Sequence, residues 1–312
     1  MLDQEFSTAQ AAVLDGYRVD YEERWIDAPV VDGQAHVLVC GDGPPVVLLN
    51  GIGVPAAMWA PLMSRLDGVL QYAVDLPGFG LTDANPRFAT DLRANAVRFL
   101  IEVLDGLGLD RPTIVANSLG SLWASWLTID QPDRVAGVAY IGCPAIVFDT
   151  SAPLPMRLLS VRPLGRLMMK LQPPSRRQVE QLAKLVHEHP LPPPIANLIL
   201  ATERLGHFED IFLATLNHLV RLRGNRGEMA LTADQLATIK APALLVLAND
   251  DPMGGAPVGR RMADSMNDAE LHIVDGGHAP WLHHSDQIAP PLTAFLRRCG
   301  TGEPWLEDGD RR

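Results

Sequence analysis

Ser118 stands in the segment Ala116-Asn117-Ser118-Leu119-Gly120, with an apolar run at 113–115 before it and helically spaced apolar residues at 119–129 after it. A serine hydroxyl is a weak nucleophile until a base takes its proton. Small residues two positions before and after, here Ala116 and Gly120, let a chain turn sharply from strand to helix. The helix N-terminus then favours negative charge developing beside the serine. The base is sought among the histidines. His278, in Val274-Asp275-Gly276-Gly277-His278-Ala279-Pro280-Trp281, follows an apolar run and a double glycine. His283 and His284 read instead as solvent-facing residues at a helix start. An imidazole acting as base needs a third group to fix its tautomer, and adjacent carboxylates, Asp250 and Asp251, follow the apolar run 244–247. Serine, imidazole and carboxylate together make the chemistry of attack on a carbonyl. Each alone has a plainer reading: a helix-capping serine, a surface histidine, a solvated loop carboxylate.

These groups lie far apart in the chain, so buried elements must bring them together. Two segments, 22–28 and 34–40, read as an opening β-meander. Short runs at 46–49, 71–74, 113–115, 135–141, 244–247 and 271–274 are nearly all apolar, as strands buried on both faces of a parallel sheet are. Helical spacing at 92–107 and 119–129 alternates with them, and a segment at 285–298 reads as a closing helix that Pro290 and Pro291 should kink or break. Alternating strands and helices predict an α/β fold with a mostly parallel central sheet, helices on both faces and an inserted helical cap. The predicted division is a core at 1–142 and 232–299, a helical cap insertion at 143–231 and a polar, frayed tail at 300–312. The insertion is rich in Leu, Met and Pro and is expected over the C-terminal edge of the sheet, where open α/β sheets bind ligands.

The bulk numbers narrow the function. At 312 residues and 47% hydrophobic content the chain can bury a large core, and 20% charged residues argue against wholesale disorder. A net charge of −11 argues against nucleic-acid binding. Residues 145–232 carry 11 Lys and Arg against 7 Asp and Glu, so the insertion is basic over an acidic core. Cys40, Cys143 and Cys299 form no CxxC pair, which reads as a reducing, cytoplasmic setting. No leader-like N-terminus, membrane-spanning run, metal-ligand spacing or cofactor motif is seen, so no cofactor is expected.

Taken in order, the segments resemble the α/β-hydrolase superfamily from about residue 34 to residue 298. The elbow is similar to that family's G-x-S-x-G, with Ala116 in the first glycine position. Asn50-Gly51-Ile52-Gly53 stands where the family usually has His-Gly, and its spelling is similar to the turn of intracellular polyhydroxyalkanoate depolymerases. The resemblance implies an oxyanion hole of the Ile52 and Leu119 backbone N–H groups. Asp75-Leu-Pro-Gly-Phe-Gly80 resembles the D-x-x-G-x-G loop, a structural feature. A strand ending in G-x-x-D carries the family's acid, and Ala248 in the glycine position puts it at Asp251. Asp250 is the neighbouring alternative, and Asp149 serves if the acid comes from the end of the preceding strand. The order Ser118, Asp251, His278 is that of the family.

The resemblance implies hydrolysis of a carboxylic ester or lactone of a small molecule through an acyl-enzyme. Leu158, Leu159, Leu167, Met168, Met169, Phe208 and Phe212 suggest an apolar cap interior, hence an apolar acyl or ring group on the substrate, and Asn50, Trp59, Asn117, Trp123 and Trp281 are pocket candidates. An alternative comes from Asn117-Ser118, which is similar to the G-N-S-M-G-G elbow of meta-cleavage-product C–C hydrolases, although Ala116, Leu119 and Ser121 depart from it. A non-hydrolytic relative or a small-molecule receptor is the remaining class.

Overall fold

The computed structural model describes residues 2–85 and 87–301. Leu2–Gly16 forms α1, followed by the antiparallel pair β1 (Glu22–Ala28) and β2 (Gly33–Cys40). The chain continues through β3 (Pro45–Leu49), α2 (Ala60–Met63), β4 (Leu70–Val74), α3 (Leu92–Gly106), β5 (Thr113–Asn117), α4 (Ser118–Asp130) and β6 (Gly137–Pro144). The inserted segment holds α5 (Leu154–Leu159), α6 (Arg162–Leu171), α7 (Arg176–Leu185), α8 (Pro193–Glu203), α9 (Phe208–Leu219) and a small hairpin, β7 (Val220–Arg221) with β8 (Gly224–Asn225). The chain then resumes with α10 (Ala233–Ala237), β9 (Ala243–Ala248), α11 (Ala256–Ser265), β10 (Ala269–Val274) and α12 (Trp281–Thr301).

The short apolar runs become one eight-stranded sheet, β1-β2-β4-β3-β5-β6-β9-β10, parallel from β4 to β10. Every residue of β5, β6 and β9 is buried, which explains why these strands read as continuous apolar runs. The strand order reverses between β3 and β5: the chain leaves β3 toward β4 on one side and returns to β5 on the other. Connections diverge at such a reversal and open a crevice at the carboxyl ends of the strands. Register keeps those ends level, with Leu49 beside Ala116 and Ala248 beside Val274.

Some expectations are corrected. Pro290 and Pro291 do not break the last helix, whose non-helical residue is His284 (φ −124°, ψ 32°). The closing helix also runs to Thr301, so the tail expected from residue 300 starts inside it, and residues 302–312 lie outside the described part. The strand expected at 135–141 is β6, shifted to 137–144. Helix α1 has no counterpart among the expected elements, although Phe6, Val13 and Leu14 are its buried apolar residues, and it packs on α8.

The ends of the inserted segment are joined side by side. The Phe148 N–H donates to the Leu231 carbonyl (2.8 Å) and the Leu231 N–H to the Ile146 carbonyl (3.2 Å). Within it, Leu167 is not interior as expected but 52% exposed, because α6 is a thin outer layer with only Gly165 fully buried. Among the described residues no helix is long and apolar enough to cross a membrane.

Candidate active site

Ser118 begins α4 directly after β5 and has φ +51°, a left-handed conformation that costs a non-glycine residue about 1–2 kcal/mol. Its carbonyl accepts the Ala145 N–H (2.9 Å), which fastens the elbow to the end of β6. Two residues on, the Gly120 N–H donates to the Asn50 carbonyl (2.9 Å), joining the elbow to the turn after β3. A Cβ at Gly120 would come within 2.4 Å of the Leu49 carbonyl oxygen and 2.7 Å of that of Asn50. Gly120→Ala is therefore expected to lower unfolding free energy by about 1–3 kcal/mol, as overpacking does. Denaturant titration measures this, and an unchanged midpoint would mean that elbow and turn are free to separate.

The turn after β3 lies against the serine. A Cβ on Gly51 would sit 3.1 Å from the Ser118 Cβ and 3.5 Å from its Oγ. Ile52 follows on this turn and is half-buried. Leu119 is the second residue of α4, so its N–H is among those for which the helix itself has no acceptor. Asn50 is buried, and its Nδ2 donates to the Pro55 carbonyl (2.7 Å), closing the 50–55 turn. Trp59 and Trp281 are both buried and stack on each other (centroids 4.2 Å apart, 26° between planes). The Trp281 Nε1 donates to the Met58 carbonyl (2.8 Å), so the indoles tie the 50–59 segment to the start of α12. Trp123 packs instead among Phe88 and Phe99. Asp75 braces this region: its carboxylate accepts the N–H groups of Ala56 and Leu81 and meets the buried His36 ring at 2.8 Å.

Asp251 and His278 arrive from the loops after β9 and β10. The His278 Nδ1 lies 3.0 Å from both Asp251 carboxylate oxygens. Those oxygens also accept the N–H groups of Cys143 (2.9 Å) and Met253 (2.8 Å). Burial pushes the Asp251 carboxyl up, but the imidazole and these N–H groups outweigh it and hold the group below the ordinary carboxylate range. Burial pulls the His278 imidazole down, and the Asp251 carboxylate, assisted by Glu188, outweighs it to hold the ring above its ordinary value. Asp250 is exposed and engages through its backbone, its N–H on the Gly276 carbonyl (3.2 Å). Asp149 is exposed and paired with Arg261 (2.6 Å). Asn117, just before Ser118, clasps the histidine loop: its Nδ2 donates to the carbonyls of Ile141 (2.7 Å) and His278 (2.9 Å).

Ser118 and His278 are 7% and 8% exposed, and the inserted segment contributes to their surroundings. Phe208 and Phe212 of α9 stack (5.4 Å), with the Phe79 ring edge-on at 6.0 and 6.5 Å. A Cβ on Gly53 would touch both at 3.4 Å, so this aromatic pair roofs the turn after β3. His283, read as solvent-facing, is exposed but turns its Nε2 to the Glu188 carbonyl (3.2 Å). The Cys143 N–H and Glu188 escaped the sequence reading, because neither carries a local pattern that marks it. Among the described residues no group of three or more His, Cys, Asp or Glu is placed to hold a metal ion.

A buried imidazole backed by a carboxylate thus lies in a loop clasped by the residue before Ser118, at the carboxyl edge of a parallel sheet where the strand order reverses. The model of the alpha/beta hydrolase family matches residues 46–290, and the chain belongs to that family. Among curated proteins it is similar to the 2-hydroxy-6-oxononadienedioate/2-hydroxy-6-oxononatrienedioate hydrolase of Klebsiella pneumoniae, 28% identical over 284 residues covering 85% of this chain and 91% of the relative. The enzyme of the same name from a Pseudomonas species is 27% identical over 280 residues, covering 86% and 93%. Among solved structures, carboxylesterase CesB of Bacillus subtilis superposes with a TM-score of 0.74 at 21% identity, covering 95% of this chain and 98% of that one. The 2-hydroxy-6-oxo-6-phenylhexa-2,4-dienoate hydrolase of a Rhodococcus species does so with 0.73 at 21%, covering 89% and 99%. At such identities these two likenesses speak to the fold.

Proposed function

We propose that this chain is a serine hydrolase that cleaves a carboxylic ester or lactone through an acyl-enzyme. Ser118 is the nucleophile, His278 the general base and Asp251 the group that orients it. The observation that carries this reading is the His278 Nδ1 held 3.0 Å from both oxygens of Asp251. With Nδ1–H so engaged, Nε2 is the free base of the ring. His278 takes the Ser118 proton as Oγ attacks the carbonyl. The Ile52 and Leu119 N–H groups receive the oxyanion, and His278 then protonates the leaving group. The same imidazole activates water to release the acid. Residues 143–231 act as a cap over this site.

The substrate is read from the cap. Phe208, Phe212 and Phe79 supply an aromatic surface over the Ile52 turn, suited to an apolar acyl or ring group. A second reading, C–C bond hydrolysis of a meta-cleavage-type dienoate, draws on the Asn117-Ser118 spelling and on the activity for which the similar Klebsiella and Pseudomonas hydrolases are named. The same serine, base and oxyanion donors would act there on a carbonyl beside the scissile bond.

Turnover of p-nitrophenyl esters of graded acyl length, against a coloured 2-hydroxy-6-oxo-dienoate, separates the two. The ester is expected to win by about tenfold or more in kcat/KM. The reverse order would transfer the assignment to C–C cleavage, and failure of both would sink the hydrolytic reading.

A further inference from the structure

The loop that carries His278 is held from the inserted helices. Helix α7 ends in a left-handed turn: His187 has φ +59°, the His187 N–H reaches the Lys184 carbonyl (3.3 Å) and the Glu188 N–H that of Ala183 (2.8 Å). This pairing of the last carbonyls is a standard way to stop a helix, but the αL position usually holds glycine. Here it holds a histidine whose Nδ1 meets the Asp250 carbonyl at 2.7 Å. The turn aims Glu188 inward, where it is 1% exposed.

Glu188 Oε1 accepts the N–H groups of Gly277 and Ala279, both at 2.9 Å. These are the residues on either side of His278. The His278 N–H itself donates to the Val186 carbonyl (2.9 Å). Consecutive peptide N–H groups of the histidine loop therefore all end on the 186–188 turn, which is 89 residues away from Gly277 at Glu188. The approach is close: a Cβ on Gly277 would lie 2.2 Å from the Val186 carbonyl oxygen.

Fastening a loop does not require a buried charge, because a neutral amide oxygen accepts the same N–H groups. Glu188 Oε2 has no hydrogen-bond partner among the described residues, and the nearest basic side chain, through the His283 Nε2, stands 3.9 Å away. Burying a carboxylate with one oxygen unanswered is costly and calls for a compensating partner. The compensating charge that forms nearby during the reaction is the His278 imidazolium. The ionisable groups facing that ring are Asp251, from the loop after β9, and Glu188, from the 186–188 turn, and His283 of α12 faces Glu188.

We propose that Glu188 is a positioning residue for His278, its two N–H acceptances fixing the loop and its charge joining that of Asp251 in favouring the imidazolium. Seating of the inserted helices and readiness of the base are then one event. The proposal rests on His278 being the base. Neutral imidazole is the working form, so turnover rises as pH passes upward through the His278 pKa. Glu188 raises that pKa, and loss of its charge moves the acid limb to lower pH.

The test follows the His278 ring by NMR titration of the full chain in a Ser118→Ala background, with Glu188, Glu188→Gln and Glu188→Ala, and the pH profile of kcat in the Ser118 proteins. Glu188→Gln should lower the His278 pKa and shift the acid limb down. Glu188→Ala should do the same and also cut kcat by about 10²-fold with KM little changed, since the loop loses its anchor. An unchanged His278 pKa in Glu188→Gln overturns the proposal, even if Glu188→Ala fails to fold. Fluorophosphonate labelling of the parent separates the two ideas. No label on Ser118 ends the serine-nucleophile reading, whereas the ring titration in the inactive background still decides the coupling.

Discussion

Replacing Ser118 with alanine is expected to lower kcat by about 10⁴–10⁶-fold, to the residual rate that oxyanion donors and binding alone support. Alanine meets the same left-handed penalty as serine at φ +51°, and the bonds that hold the elbow, Ala145 N–H to the Ser118 carbonyl and Gly120 N–H to the Asn50 carbonyl, are backbone bonds. The variant should therefore fold as the parent does, with an unfolding midpoint within a few degrees of it. Steady-state turnover of the best ester and intact-mass detection of a fluorophosphonate adduct measure the effect. Persistent turnover, or an adduct on another residue, would remove Ser118 from the mechanism.

The second large effect separates adjacent carboxylates. Asp251→Asn should cost about 10³–10⁴ in kcat, whereas Asp250→Asn should leave it within about twofold. The reason is local. Asp251 presents only acceptors to the Cys143 and Met253 N–H groups and to His278 Nδ1. An asparagine keeps one acceptor and introduces an NH₂ that must find one. The His278 ring supplies it by moving its proton to Nε2, the tautomer that cannot accept the Ser118 proton. Asp250 is exposed, and among the described residues its hydrogen bonds run through its backbone, which the amide leaves in place. Parallel kcat measurements on the two variants decide it. Equal losses, or the larger loss at Asp250, would move the acid.

Much of this is legible in the sequence alone. The strand runs were readable because β5, β6 and β9 are buried on both faces and tolerate little but apolar residues. The Ser118 elbow was readable because a sharp strand-to-helix turn demands small neighbours, a constraint that falls within five consecutive residues. The prolines of α12 misled for a physical reason. A proline pair reads as a break, yet the departure from helical geometry falls at His284 and leaves Pro290 and Pro291 inside a continuous helix. Leu167 misled because apolar character on a thin outer helix need not face inward.

By itself the sequence determined the order of the elements and the local turns that display Ser118, Asp251 and His278, since these depend on backbone sterics and on periodic burial within short windows. Tertiary structure alone decided what those groups meet. The reversal of strand order between β3 and β5 sets the Gly51 turn against Ser118, and level strand ends bring Asp251 to His278. The left-handed end of α7 delivers Glu188 to peptide groups 89 and 91 residues away. Such meetings arise from packing between elements distant in the chain, and no local pattern of residue types encodes them.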